Sequence, residues 1–124
     1  MTTNALTVGA GEKERCDFGR LSVCWKVGGS RTGWRFSVAH HPVAPRALAA
    51  PLHNHHNEDE LSYVVTRRLG ALWGDEVVTA DAGAWVRQAA KQWHTFWNAG
   101  KTPCEFTEVI SPAGCEARGH WCSR

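Results

Sequence analysis

Two histidines and a group of acidic side chains lie close together in residues 51–60. His53 and His55 are separated by one residue, and such positions point the same way on an extended chain, so both imidazoles can face one point. Glu60, at the head of the next predicted strand, can add a carboxylate oxygen. Imidazole and carboxylate groups together are typical ligands of a divalent transition metal. A His-x-His pair also occurs in solvated loops, so this segment alone leaves both interpretations open.

His94 lies within a second promising segment, the strongly β-forming residues 93–98. A buried imidazole needs a polar partner, which a metal ion or an ordinary hydrogen bond can supply. Spacing along the chain does not by itself place His94 beside His53. A hydrogen-bonded core histidine is therefore the alternative to a metal ligand at this position.

The remaining acidic and histidine side chains have weaker claims to a site. Glu58 and Asp59 compete with Glu60 as the oxygen ligand. His56 is out of phase with the His-x-His pair and is predicted at the surface. The other histidines are placed at a strand end, His40 and His41, or in the C-terminal tail, His120.

Period-two hydrophobic patterns predict the elements that must position these residues. The turn at Gly74-Asp75 fits a type II′ hairpin, which needs Gly at its first central position. Residues 42–51, bracketed by prolines, are predicted as an irregular connection. Short strands with turn residues between them indicate an all-β sandwich or barrel. The predicted strands are residues 21–27, 33–40, 60–66, 69–73, 76–79, 85–88, 93–98 and 104–111.

The sequence resembles the two motifs of the cupin superfamily, in particular small single-domain cupins. The residues that fit are His53, His55 and Glu60 in the first motif and Gly83, His94 and Asn98 in the second. The turn-forming Gly and Pro positions of these motifs are replaced by Ala47, Arg67, Ala89 and Lys91. The resemblance implies an all-β, cupin-type double-stranded β-helix (jelly-roll) barrel over residues 20–114. An N-terminal arm, residues 1–19, and a C-terminal tail, residues 115–124, would flank it.

The resemblance also implies one divalent metal ion held by His53, His55, Glu60 and His94, with the motif spacing favouring Glu60 over its acidic neighbours. Such a ligand set suits Fe, Mn, Ni, Co, Cu or Zn without choosing among them. Glu60 is the candidate catalytic residue, since a carboxylate that leaves the metal can act as a base.

Strand phase predicts which side chains line the cavity around the ion. Ser62 and Val64 share a face with Glu60, and Phe96 shares one with His94, so all three are predicted to contact substrate. Arg87 is a further substrate-binding candidate if its strand face points inward, where it could bind a carboxylate or phenolate. A solvated Arg87 is the alternative, and it is the favoured one.

A small metal-dependent enzyme acting on a small organic molecule is the function that the resemblance favours, with a dioxygenase or oxygenase first. A non-redox isomerase, cyclase or lyase is the alternative within that class. A non-catalytic ligand-binding module is the alternative outside it, and a storage role is disfavoured. The seven tryptophans, some on the outward strand phase, are consistent with a homodimer.

Charge and composition exclude several other classes. The net charge is only +2 and the basic residues are scattered, so no nucleic-acid partner is expected. There is no apolar run of about 18 residues and no signal-like N-terminus, so no membrane span is expected. The odd count of five cysteines, without a CxxC pair, favours a cytoplasmic protein with free thiols. Metal binding or cross-linking by Cys115 and Cys122 is the less favoured alternative.

Overall fold

A computed structural model of the chain describes residues 6–17 and 22–115. Within these residues the chain forms nine strands and one short 3₁₀ turn, Gly29–Arg31. No helix in the described part is long and apolar enough to cross a membrane. The strands are β1 (Arg15–Asp17), β2 (Val23–Val27), β3 (Ser37–Val43), β4 (Asp59–Thr66), β5 (Arg68–Trp73), β6 (Glu76–Asp81), β7 (Trp85–Gln88), β8 (His94–Asn98) and β9 (Cys104–Ser111).

The strands form two antiparallel sheets. The larger sheet has the order β1-β2-β3-β9-β4-β7, and the smaller has the order β6-β5-β8. The segment before β4 runs beside β8 and extends the smaller sheet through two isolated bridges, Leu48 with Trp97 and His53 with His94. This two-sheet arrangement confirms the predicted all-β barrel.

Alternating burial along the strands builds the core between the sheets. In β3 every second residue from Ser37 to Val43 is buried, as the period of two requires. Val64 and Phe106 of the larger sheet pack with Leu69 and Phe96 of the smaller sheet in one apolar cluster. This cluster lies next to the polar residues of the candidate site, since Phe96 borders both.

The predicted strand at residues 33–40 is displaced in the structure. β3 begins only at Ser37, because Gly33 and Trp34 adopt left-handed backbone angles with φ of 64° each, which a strand does not allow. β3 then continues through Pro42, which was predicted to lie in the irregular connection. Strand β1 lies within the segment predicted as an arm.

The expectation of free thiols is wrong for three of the five cysteines. Cys16 and Cys24 are directly opposite each other on β1 and β2 and form a disulfide. Cys115 is also disulfide-bonded, to a partner outside the described residues. Cys122, for which cross-linking or metal binding with Cys115 was the alternative, also lies outside the described residues. Cys104 is free and buried. An odd count hid these pairings, because one buried thiol is left over.

Turn geometry explains two departures from the motif pattern. Gly74 has a φ of 63° between the paired residues Trp73 and Glu76, which confirms the two-residue hairpin. Arg67 and Lys91, which replace motif glycines, keep positive φ values of 67° and 68°. The turns therefore survive, with side chains in a conformation that costs about 1–2 kcal/mol in residues other than glycine.

Candidate metal centre

Four buried side chains converge between the two sheets. The possible ligand atoms of His53, His55, Glu60 and His94 all lie within 4.8 Å of one another, and each residue is at most 3% exposed. Ligand atoms about 2.0–2.2 Å from one ion would lie about 3 to 4 Å apart. The structure thus brings together the four residues that the sequence predicted as ligands.

The backbone holds the histidines in place. His53 and His94 exchange two main-chain hydrogen bonds, with N–O distances of 3.0 and 2.8 Å. The carbonyl oxygen of His55 accepts the N–H of Lys91 at 2.7 Å. This hydrogen bond ties the His55 segment to the left-handed turn that precedes His94. Both ligand-bearing stretches are therefore anchored independently of any ion.

Side-chain hydrogen bonds orient two of the rings. Nδ1 of His53 lies 2.6 Å from the carbonyl oxygen of Pro51, and Nδ1 of His94 lies 2.8 Å from that of Gln92. Since a carbonyl oxygen can only accept, Nδ1 carries the hydrogen in both rings. In the neutral imidazole Nε2 is then an acceptor, which is the arrangement that metal-binding histidines adopt.

Glu60 is the centre of the group. Its carboxylate oxygens lie 2.6 Å from Nε2 of His55 and 3.0 Å from Nε2 of His94. Burial acts to raise the pKa of Glu60, but the contacts with His55 and His94 outweigh it, so the pKa lies well below the usual range. The carboxyl group is therefore ionised in the folded protein.

The pKa values of two histidines move in opposite directions. Burial lowers the pKa of His53 to about 4, and the neighbouring His94 acts in the same direction. Burial also acts to lower the pKa of His55, but the hydrogen bond and charge of Glu60 outweigh it and the pKa is raised. His53 is therefore neutral near pH 7 and available as a ligand.

The donor set fits a divalent metal ion. With its hydrogen on Nδ1, His94 faces the Glu60 carboxylate with an acceptor nitrogen, so two acceptors meet at 3.0 Å. A cation between them, either an added proton or a metal ion, satisfies both. Three imidazoles and one carboxylate match the ligand preferences of first-row divalent metals.

A second buried pair, His41 and Glu108, borders the same narrow pocket as Glu60 and His53. Nε2 of His41 lies 2.5 Å from the Glu108 carboxylate, and both side chains are at most 4% exposed. Burial raises the pKa of Glu108, and the adjacent Glu60 carboxylate raises it further. Sequence reasoning missed this pair and placed His41 at a strand end. Alternating burial along β3 and β9 points both side chains inward, and the register between the two strands brings them together.

The predicted lining residues divide into two groups. Ser62, Val64 and Phe96 are buried inside the barrel, each at most 2% exposed, and Phe96 borders the pocket. The side chain of Arg87 is 61% exposed and forms an ion pair with Asp59 at 3.3 Å. The prediction that Arg87 contacts a substrate inside the barrel is corrected, because its strand face points outward.

Glu58, Asp59 and His56, which neighbour the candidate ligands in sequence, are not part of the four-residue group. Glu58 is buried, at 2% exposed, and its charge acts on His55, while Asp59 receives the N–H of Ala90 at 2.7 Å. His56 is exposed, as predicted from its phase.

A family model described as Cupin domain matches residues 39–110, which include all four candidate ligands. The chain belongs to the cupin family. No curated protein matches the sequence.

Solved cupin-like structures share the fold at low sequence identity. A predicted oxalate decarboxylase from Thermotoga maritima has 18% identity and a TM-score of 0.77, over 86% of this chain and 99% of that one. KdgF from Halomonas sp. has 12% identity and a TM-score of 0.77, over 91% and 98%. A putative sugar phosphate isomerase from Acidithiobacillus ferrooxidans has 17% identity and a TM-score of 0.62, over 74% and 60%. At these identities the likeness shows the fold.

Proposed function

We propose that this cupin is a metal-dependent enzyme that transfers a proton on a small oxygen-containing organic molecule, without a net redox change. The observation that carries the proposal is the buried His41–Glu108 pair, which borders the same pocket as Glu60 and His53. General acid–base chemistry needs titratable groups within reach of the reacting atoms. Neither His41 nor Glu108 belongs to the candidate ligand set, so both are available for that work.

Different residues of the chain would bind the metal, transfer the proton and exclude water. His53, His55, Glu60 and His94 would hold a divalent ion, which when bound supplies Lewis acidity toward a carbonyl or hydroxyl oxygen. Glu108 would accept a proton from the substrate and return it, with His41 fixing the orientation of its carboxyl group. Phe96 and Phe106 would exclude water from one side of the pocket.

An oxygenase, which the motif resemblance placed first, is the second candidate. The mixed imidazole and carboxylate ligand set suits iron as well as zinc. We place proton transfer ahead of it because His41 and Glu108 supply groups for that step. The names of the similar structures also include a decarboxylase and an isomerase.

The first test is metal content per chain by elemental analysis, followed by hydrogen exchange in D₂O. Zinc-loaded protein is mixed with dihydroxyacetone, hydroxyacetone or pyruvate, and exchange of the C–H next to the carbonyl is followed by NMR. We expect metal-dependent exchange that chelation abolishes and that Glu108→Gln slows by about 100-fold or more. Arg87→Ala, outside the barrel, is the matched control. Metal-dependent consumption of O₂ without any exchange would favour the oxygenase, and a protein that binds no metal would leave only a binding module.

Assembly and location stay predictions. Trp34, Trp85 and Trp93 are at least half exposed, which is consistent with the homodimer predicted from the sequence. A monomer mass in solution at micromolar concentration would contradict it. Disulfides are more typical of oxidising compartments than of the cytoplasm, and cell fractionation would test the cytoplasmic location predicted from the sequence.

A further inference from the structure

Three buried polar side chains on the inner face of the larger sheet have hydrogen-bonding atoms without a partner. They are Ser37, Ser62 and Gln88, which we call the polar floor. Each is at most 1% exposed, and the hydroxyls of both serines and both amide atoms of Gln88 are unsatisfied within the described structure. Buried polar atoms are nearly always hydrogen-bonded, so a set on one face indicates a missing partner.

The strand register places Gln88 and Ser62 of the polar floor beside the candidate metal centre. Gln88 of β7 lies directly opposite Glu60 of β4, and Ser62 of β4 lies directly opposite Glu108 of β9. Directly opposite residues in antiparallel strands have side chains on the same face, within about 5 Å at Cβ. Glu60 and Glu108 both border the pocket, so Gln88 and Ser62 adjoin it.

The negative charge of the buried carboxyl groups near the polar floor disfavours anionic ligands and is compatible with uncharged ones. Glu58, Glu60 and Glu108 are buried, whereas no Lys or Arg is buried among residues 22–115. Arg87, on a strand of the floor, points outward to Asp59. Apart from a bound metal ion, a phosphate group in the pocket would meet these carboxylates and no Lys or Arg side chain, which is unfavourable.

We propose that the polar floor binds the hydroxyl groups of an uncharged polyol or hydroxyketone that reaches the metal centre. Hydroxyl groups both donate and accept, as do the serine hydroxyls and the Gln88 amide, while carboxylates accept from them. The inference rests on the proposed function, because it names the substrate class of the same site.

The test compares one neutral ligand with its phosphorylated form. Zinc-loaded and zinc-free protein are titrated by calorimetry with dihydroxyacetone and with dihydroxyacetone phosphate. We expect dihydroxyacetone to bind at least tenfold more tightly than its phosphate. Ser62→Ala and Gln88→Met should each weaken dihydroxyacetone binding about three- to tenfold, the effect of losing one or two hydrogen bonds. Both variants remove unsatisfied atoms and break no hydrogen bond, so we expect them to fold.

Ser111→Ala is the matched control, since its exposed hydroxyl donates to the carbonyl oxygen of Arg35, away from the floor. Tighter binding of the phosphate would overturn the inference. Unchanged binding in Ser62→Ala and Gln88→Met, with a raised melting temperature, would overturn it by showing that the floor holds water only. Zinc content is measured separately: its absence refutes the metal-dependent function, while the titration of zinc-free protein still decides whether the floor binds hydroxyl groups.

Discussion

Removal of one candidate ligand should remove most of the stabilisation that a bound metal ion gives to the fold. His53→Ala removes a ring that is 3% exposed and neutral near pH 7. At a free metal concentration 100 times the dissociation constant, binding stabilises the native state by about 2.7 kcal/mol. For a domain of this size that raises the melting temperature by about 10 °C. Losing a residue that only supports a metal ligand typically costs 10–100-fold in affinity, so losing a ligand costs at least as much.

At 100-fold weaker affinity the same metal concentration stabilises the variant by only about 0.4 kcal/mol, or about 2 °C. The assay is thermal unfolding with and without zinc, cobalt or nickel, in a buffer that does not chelate them. His56→Ala is the matched control, because His56 is exposed and close in sequence. An equal metal-induced rise in His53→Ala and in the parent would refute the site, as would no rise in the parent.

Three further predictions concern positions around the site. Gly70→Ala should lower the free energy of unfolding by about 1–3 kcal/mol, because the new Cβ would lie 2.3 Å from the Trp97 ring. Gly100→Ala is the control and should be nearly neutral, because the nearest atom to its new Cβ is Asn98 Oδ1 at 3.5 Å. Thermal unfolding measures both. Equal melting temperatures of the two variants would contradict this. Lys91→Gly should raise stability by up to about 1 kcal/mol, since it relieves a left-handed backbone, and a lower melting temperature would argue against that strain. Arg87→Ala should leave metal affinity by calorimetry unchanged within about twofold, because its ion pair is exposed, and a larger loss would mean that it acts on the pocket.

The metal ligands could be predicted because their spacing is local or fixed by motif. His53 and His55 could be predicted because residues two positions apart on an extended chain face the same way, and the position of Glu60 follows from the motif. The His41–Glu108 pair could not be found this way, since its members are 67 positions apart in the sequence and only the β3–β9 register brings them together. No pattern within either strand alone reveals that pairing.

Misplaced elements have equally physical causes. Trp34 and Phe36 are residue types that favour a strand, but the left-handed backbone at Gly33 and Trp34 delays the start of β3. Arg87 alternates correctly along its strand, but alternation does not say which face is inward. Pairing with β4 decides that question, because it sets Gln88 opposite the buried Glu60 and turns Arg87 outward.

The candidate ligands come from both sheets, with Glu60 on β4 of the larger and His94 on β8 of the smaller. An ion held by both would act as a cross-link across the barrel. The sheets then cannot separate until the ion is released, so the barrier to opening includes metal dissociation. Amide hydrogens of β4 and β8 should accordingly exchange with deuterium more slowly in the metal-bound protein, and slow together. Metal supply would in that case set the lifetime of the folded chain as well as its chemistry.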